Sequence, residues 1–310
     1  MLTLITGGAG FIGSNLSRLA VERGHSVRVF DDLSGGRLSN LEGLDVDFHK
    51  GTLLDADHVT EVMAGVDSVV HLGALGSVPR SVKNPRATHE ANVTGTLNVL
   101  EAARVNDVAH LSAASSSSVY GANPVLPKGE FDYTRPMSPY AVSKLATEGY
   151  TLAYQFSYDL PTLAFRFFNV YGPLQPADHP YAAVIPKFLS AALTGKPVQV
   201  HGDGKQSRDF TFVETVCGVL LSAMERGVTS REPVNLAFTT NTDLLTLLDM
   251  IEERLGRSVE REFVETRVGD VRASQADSGL LRELFPDVAP VQLEDGLSTT
   301  LEWMRGAVGV

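Results

Sequence analysis

The stretch LTLITGGAGFIG, residues 2–13, constrains what this chain can fold into more than any other. An aliphatic run reads as a strand, glycines follow at once, and a helix is expected from about Gly10. Gly7 permits a tight turn, Gly10 lets backbone come close to a bound anion, and Gly13 lets the helix pack against the strand. The start of a helix presents amides without internal partners, and these attract a pyrophosphate. A strand feeding a helix through so short a turn is the first unit of a layered α/β structure.

The same alternation continues. SVRVFDD, DVDFHKG, DSVVHLG and DVAHLSAAS read as strands, with a helix through HEANVTGTLNVLEAARV between the last two. A long helix is expected from Ser138 to about Tyr158, followed by a single strand, PTLAFRFFNVYG. Strands alternating with helices predict a doubly wound parallel sheet. Beyond Gly172 the rhythm changes: Pro173, Pro176 and Pro180 mark a loop, and the later elements are shorter and mixed. The expected organisation is a dinucleotide-binding domain over 1–172, to which 209–240 returns. A smaller mixed α/β domain is expected from 173–208 and 241–310.

Composition bounds the function classes. With 310 residues and 43% hydrophobic content, the chain can bury one large core or two intimate ones. The net charge is −11 and the basic residues are scattered, so nucleic-acid binding is not expected; a few arginines can still hold a small anion. The one cysteine, Cys217, lies in the apolar stretch TVCGVLLSAM and reads as a buried hydrophobe. No disulfide can form within the chain, which fits a reducing cytoplasm. No secretory leader is seen before the first strand, and no apolar run approaches the ~20 residues that cross a bilayer. A soluble cytoplasmic protein is the expectation, and nothing in the sequence has the spacing of a metal site.

The second strand ends in Asp31, eighteen residues after Gly13. A carboxylate there accepts from ribose hydroxyls and repels a 2′-phosphate, which selects NAD over NADP; Asp32 is placed to share the role. Further on, SPYAVSK puts Ser138 at a helix N-cap, Pro139 at the first helical position and Tyr140 in the first turn. Lys144 then stands one turn later on the same face. A tyrosine base near neutral pH needs its pKa lowered from ~10 to ~7, roughly 4 kcal/mol. An ammonium about 5 Å away contributes about 3 kcal/mol at an effective dielectric near 20. A positively charged nicotinamide supplies the rest. Upstream, SAASSSSVYG ends a strand, where open parallel sheets place their ligands.

Taken together, TGGAGFIG, SSSSVYG, SPYAVSK and RFFNVYG resemble the extended short-chain dehydrogenase/reductases over essentially the whole chain. Within that superfamily the chain is most similar to the nucleotide-sugar 4-epimerases. The resemblance implies a Rossmann-type fold, tightly held NAD, a UDP-sugar substrate and a homodimer formed through helices near 92–105 and 140–158. It makes Tyr140 the catalytic base and Lys144 the residue that tunes it and holds the nicotinamide ribose. Ser116, to within one residue among Ser115–Ser118, takes the place of the group that hydrogen-bonds the reacting oxygen. The implied cofactor contacts are Gly7, Gly10, Phe11, Ile12, Gly13, Asp31, Asp32, Thr52, Leu53, Leu72, Ala74 and Asn92, together with Tyr140 and Lys144. Thr52 is a departure, because the family carries an aspartate there that accepts from the adenine amino group.

For the substrate, the resemblance implies Arg208 and Arg267 on the diphosphate and Asp270 on the uridine ribose. Gly76, Ser77, Ser116, Ser117, Asn169, Ala183 and Ser274 are placed around the sugar. Related dehydratases and decarboxylases carry acidic groups after the catalytic serine, where this chain has Ser117 and Ser118; simple redox at C4, and hence epimerisation, is the expected chemistry. ALGSVPRS and YAAVIPKF resemble the branch that handles UDP-N-acetylhexosamines. Gly76 replaces a lysine, and Ser274 a tyrosine, of glucose-restricted members, leaving volume for an acetamido group. A UDP-glucose-restricted enzyme, or a UDP-glucuronate enzyme with Arg80 facing C6, stays open as an alternative. A non-catalytic NAD-binding regulator is a third reading, disfavoured because both Tyr140 and Lys144 are present.

Overall fold

The computed structural model describes residues 1–178, 182–266 and 272–308. The first half lays down β1 (Leu2–Thr6), α1 (Phe11–Glu22), β2 (Ser26–Asp31), β3 (Val46–Lys50), α2 (Ala56–Val62) and β4 (Ser68–His71). It continues through α3 (Val78–Lys83), α4 (Pro85–His89), α5 (Gly95–Val105), β5 (His110–Ser116), α6 (Pro139–Tyr158), β6 (Thr162–Phe167) and β7 (Asn169–Tyr171). The second half adds α7 (Val184–Leu193), β8 (Val198–His201), β9 (Ser207–Arg208), β10 (Phe210–Phe212), α8 (Val213–Arg226) and β11 (Val234–Leu236). It ends with β12 (Thr242–Asp243), α9 (Leu244–Leu255), β13 (Arg261–Val264), β14 (Ala273–Ser274), α10 (Gly279–Leu284) and α11 (Leu293–Val308).

Seven strands form one parallel sheet in the order β11-β6-β5-β4-β1-β2-β3. Chain progression reverses between β1 and β4, and the crevice beyond the carboxyl ends of those two strands is where such sheets take ligands. Helices cover both faces, so the inner strands are buried along their length; β1 buries four of its five residues and β4 all four. One face packs Leu16 and Ala20 of α1 with Val216, Cys217 and Leu220 of α8. The other packs Val59 and Val62 of α2, Val99 and Leu100 of α5 and Tyr154 of α6. Smaller sheets lie outside this layer: β10 with β7, β12-β9-β14, and β13 with β8. No helix among the described residues is long and apolar enough to cross a membrane.

Helix α6 begins as its sequence predicts. Ser138 Oγ accepts from the Ala141 amide at 3.1 Å and Pro139 opens the helix. It stops at Asp159, which adopts the left-handed conformation with φ 54°.

Two elements differ from the sequence expectation. The single strand expected over PTLAFRFFNVYG divides after Phe167: β6 stays in the main sheet while β7 leaves it to pair with β10. The helix expected through HEANVTGTLNVLEAARV contains a π-helical turn over Glu90–Thr94. That turn frees the Asn92 carbonyl, which accepts instead from the Thr96 hydroxyl at 2.5 Å and the Thr147 hydroxyl at 3.0 Å.

Candidate active site

Five strand ends line up along this edge of the sheet. Thr6 lies opposite both Phe30 and His71, and Ser116 lies opposite Phe167. The turn after β1 holds Gly7 at φ +70°, with its amide donating to Phe30 O at 2.8 Å. A Cβ at Gly7 would stand 2.8 Å from Gly73 Cα. A Cβ at Gly13 would stand 2.3 Å from Gly7 O and 2.6 Å from Gly8 Cα, so α1 rides directly on the turn. Gly10 is the N-cap, and no side chain caps the helix, which leaves the amides that follow Gly10, with Phe11 and Ile12 in the first turn, facing the crevice. Gly13→Ala should therefore push the turn apart, cost about 1–3 kcal/mol and lower the NAD retained on purification. The unfolding midpoint and released NAD measure both effects, and wild-type values for both would mean that the close approach is unimportant.

Asp31 is buried at the end of β2. Its carboxylate accepts from the Ala9 amide at 3.0 Å and the Leu33 amide at 2.8 Å, tying the second strand to the glycine turn. Burial pushes its pKa up, the two amides pull it down, and neighbouring Asp32 adds a smaller upward push. Asp32 is exposed and accepts from the Ser34 amide at 2.8 Å in a local turn. Of the two carboxylates, Asp31 is the one built into the crevice.

The outer wall follows β3 and β4. Thr52 is exposed, and its hydroxyl accepts from the Leu54 amide at 3.3 Å. Leu53 packs under Gly73 and Gly95, and its carbonyl accepts from Asn98. The Leu72 amide donates to Thr6 O at 3.1 Å, and Ala74 follows in the same half-buried loop. Asn92 is fully engaged with protein. Its Oδ1 accepts from the Leu75 amide at 2.7 Å, and its Nδ2 donates to Leu75 O and to Ser143 Oγ. It thus clamps the 72–77 loop to α6. Ser77 caps α3 by accepting from the Arg80 amide at 3.2 Å, and a Cβ at exposed Gly76 would meet only open space.

The expected reacting groups come from β5 and α6. The Ser116 side chain lies beside the Tyr140 phenol, and its Oγ accepts from the Ser118 amide at 3.2 Å. Ser115 points the other way, donating to Glu148 Oε2 at 2.9 Å, while Ser117 and Ser118 begin the short helical turn after the strand. Burial pushes the Tyr140 phenol above its ordinary pKa, and the Ser116 side chain beside it pulls it back. Lys144 is buried, with Nζ donating to Ala114 O at 2.8 Å, and burial pushes its pKa down to about 8. Burial, with Lys144 as a second cause, pushes His71 down to about 3, so it is neutral. His71 is hydrogen-bonded to Thr6 Oγ1 at 2.7 Å and Thr96 Oγ1 at 3.0 Å.

Three of the expected substrate residues, Asn169, Ala183 and Arg208, line a cavity of about 780 Å³ with Phe168, Tyr171 and Gln206. Gly76, Ser77, Ser116, Ser117 and Tyr140 do not line it; the cavity begins just past the end of β6, at Phe168 and Asn169. Arg208 Nη1 donates to Ser207 O at 2.8 Å, and Asn169 Nδ2 donates to Asp209 O at 3.2 Å. Ser274 lies outside the cavity wall but is paired in register with Arg208 across β14 and β9. Arg267 and Asp270 lie outside the described residues.

Three buried polar side chains went unnoticed in the sequence. Arg166 on β6 binds both carboxylate oxygens of Glu148, at 2.9 and 2.7 Å, and donates to Tyr120 Oη at 2.8 Å. Asn235 on β11 accepts from Tyr120 Oη at 2.7 Å and donates to Lys128 O and Asp277 O. Glu148 had one visible signal, since it follows Tyr140 and Lys144 at the same four-residue spacing on α6.

An uncapped helix N-terminus on a glycine turn, a buried carboxylate eighteen residues after Gly13 and a Ser/Tyr/Lys group from β5 and α6 fit a nicotinamide dinucleotide. Residues 3–237 match the NAD dependent epimerase/dehydratase family, and this chain belongs to it. The chain is 37% identical to the UDP-glucose 4-epimerase of Mycolicibacterium smegmatis, over 98% of this chain and 99% of that one. A UDP-N-acetylglucosamine 4-epimerase from Methanobrevibacter ruminantium, solved with UDP-N-acetylmuramic acid, superposes with a TM-score of 0.93 at 34% identity, covering 98% of each chain. The UDP-glucose 4-epimerase of Thermotoga maritima, solved with UDP-glucose, gives 0.94 at 33% identity, covering 99% of this chain and 100% of that one.

Proposed function

We propose that this chain is an NAD-dependent UDP-sugar 4-epimerase whose preferred pair is UDP-N-acetylglucosamine and UDP-N-acetylgalactosamine. The observation that carries the epimerase reading is the Ser116 side chain beside the Tyr140 phenol, with buried Lys144 one helical turn on and serines rather than carboxylates at 117 and 118. Bound NAD supplies the acceptor, and then the donor, of a hydride at sugar C4. Tyr140 Oη takes the C4 hydroxyl proton, and Ser116 hydrogen-bonds the same oxygen as it becomes a carbonyl. The Lys144 ammonium offsets charge on the phenolate, which burial alone would disfavour. After the 4-keto sugar has turned, Tyr140 returns the proton. With no carboxylate after Ser116 to assist elimination, the product is the C4 epimer.

In this reading, residues 1–172 with 209–240 hold NAD, and 173–208 with 241–310 hold the nucleotide sugar. Arg208 takes the diphosphate. The N-acetyl preference is supported by open space at Gly76 and by the small Ser274. A working homodimer is supported by the exposed apolar residues of α6, Val142, Tyr150 and Phe156.

A proton NMR time course with UDP-N-acetylglucosamine, and separately UDP-glucose, without added NAD tests the function. Galacto-configured anomeric signals are expected, faster from the N-acetylated sugar. A keto or unsaturated product would overturn the epimerase reading, and no change after NAD is supplied would overturn the sugar assignment in favour of UDP-glucuronate or of a non-catalytic chain. Ser274→Tyr is expected to slow the N-acetylated sugar by about tenfold more than UDP-glucose, the size of a steric pocket effect. Equal loss on both sugars would remove Ser274 from specificity.

A further inference from the structure

Asn169 and Arg208 of the cavity wall and the adjoining 273–276 segment come from far apart in sequence, and one buried residue joins all of them. Asp209 is 0% exposed. Its Oδ1 accepts from the Thr240 hydroxyl at 2.8 Å, and its Oδ2 accepts from the Ala276 amide at 3.1 Å. Its own carbonyl accepts from both the Asn169 amide and Asn169 Nδ2, each at 3.2 Å. Arg208 precedes it in the chain, and Arg208 is paired in register with Ser274, two residues before Ala276.

The turn that supplies the Thr240 hydroxyl is held against its preference. Thr239 is a β-branched residue at φ +64°, in the left-handed region, and its hydroxyl is hydrogen-bonded to Ser278 Oγ at 2.7 Å. An unfavourable backbone persists where its surroundings over-determine it. Here those surroundings include the Asp209 carboxylate and the Phe210 amide, which donates to Thr240 Oγ1 at 3.0 Å.

We propose that Asp209 is the positioning residue for the nucleotide end of the substrate: without touching it, Asp209 fixes Asn169, Arg208 and the 273–276 segment at the spacing that receives the diphosphate. The proposal rests on the UDP-sugar reading given above. Asn169 Nδ2 is held by Asp209 O, so its Oδ1 is the atom left to face the cavity as an acceptor. The Arg208 guanidinium is aimed by the short β9 strand, which ends at Asp209. A 4-keto sugar that must turn within the site needs its nucleotide end held still, and Asp209 holds the wall that does this.

Calorimetric titration of the NAD-loaded enzyme with UDP, alongside steady-state epimerisation, separates the possibilities. Asp209→Asn keeps the volume and one acceptor; Thr240→Val removes the hydroxyl that orients the carboxylate while leaving the carboxylate in place. Both variants are expected to raise the UDP Kd and the substrate KM by about tenfold, the scale of losing a hydrogen bond to a charged group. Their kcat should stay within about threefold of wild type, because Ser116, Tyr140 and Lys144 are untouched. If Asp209→Asn does not fold, the Thr240→Val result decides. A UDP Kd within twofold of wild type, even with a lowered unfolding midpoint, would make Asp209 merely structural and overturn the proposal, as would a fall in kcat at unchanged KM. Failure of the wild-type enzyme to bind UDP would overturn the functional reading itself.

Discussion

Tyr140→Phe is expected to lower kcat by about 10²–10⁴-fold, the usual contribution of a positioned proton-transfer group. The substitution removes one oxygen from a half-buried ring on the first turn of α6. The helix cap at Ser138 and the Lys144–Ala114 hydrogen bond do not depend on that oxygen. Folding, NAD content and KM should therefore stay close to wild type, which makes kcat the diagnostic quantity. The loss should appear in both directions of the reaction, because the same phenol takes the proton and returns it. Turnover within a few-fold of wild type would remove Tyr140 from the chemistry and leave Ser116 and Lys144 without a base to serve.

Arg166→Met is expected to destabilise the fold by about 3–5 kcal/mol, the scale for stranding one partner of a buried ion pair. The Arg166 and Glu148 side chains are only 4% and 6% exposed, and the pair is bidentate. Burial works against the guanidinium charge, but pairing with Glu148 and contact with Tyr120 hold Arg166 above its ordinary pKa. Removing Arg166 alone leaves a carboxylate in the interior with only the Ser115 hydroxyl as a described partner. Arg166→Met combined with Glu148→Leu should recover much of the loss, since no unpaired charge then remains. Urea denaturation of the two single variants and the double variant gives the coupling energy. Additive losses would show that the pair is not a unit. Because Glu148 lies one turn beyond Lys144, the pair also fixes how α6 sits against β6.

The glycine turn, Asp31 and the α6 cap were legible in the sequence because each is local. A strand, a turn and a helix start within a dozen residues, and Ser138–Pro139 announces the helix that carries Tyr140 and Lys144. The division after Phe167 was not legible. PTLAFRFFNVYG is uniformly suited to a strand, and only the arrival of β10, some forty residues later, draws Asn169–Tyr171 away from the main sheet. The π-helical turn at Glu90–Thr94 was hidden for a similar reason, since its freed carbonyl is satisfied in part by Thr147 on another helix. Asp209 and Asn235 look like ordinary polar residues in RDF and VNL until distant segments close around them. Among the four serines, a sequence pattern places the reacting group to within one residue; the opposite directions of Ser115 and Ser116 along β5 distinguish the two.

The packing of α8 against α1 bears on how the chain is made. The cover of the glycine turn comes from residues some two hundred positions later: Cys217 Sγ lies 3.8 Å from Ile12 O, and β11 closes the edge of the sheet beside β6. A nascent chain emerging from the ribosome therefore holds the dinucleotide fingerprint long before it can form the finished cleft. Contacts of such large sequence separation form slowly, and a ligand stabilises only the state that binds it. The fingerprint alone is therefore not the finished cleft, whose α8 cover is among the later parts of the chain to be made.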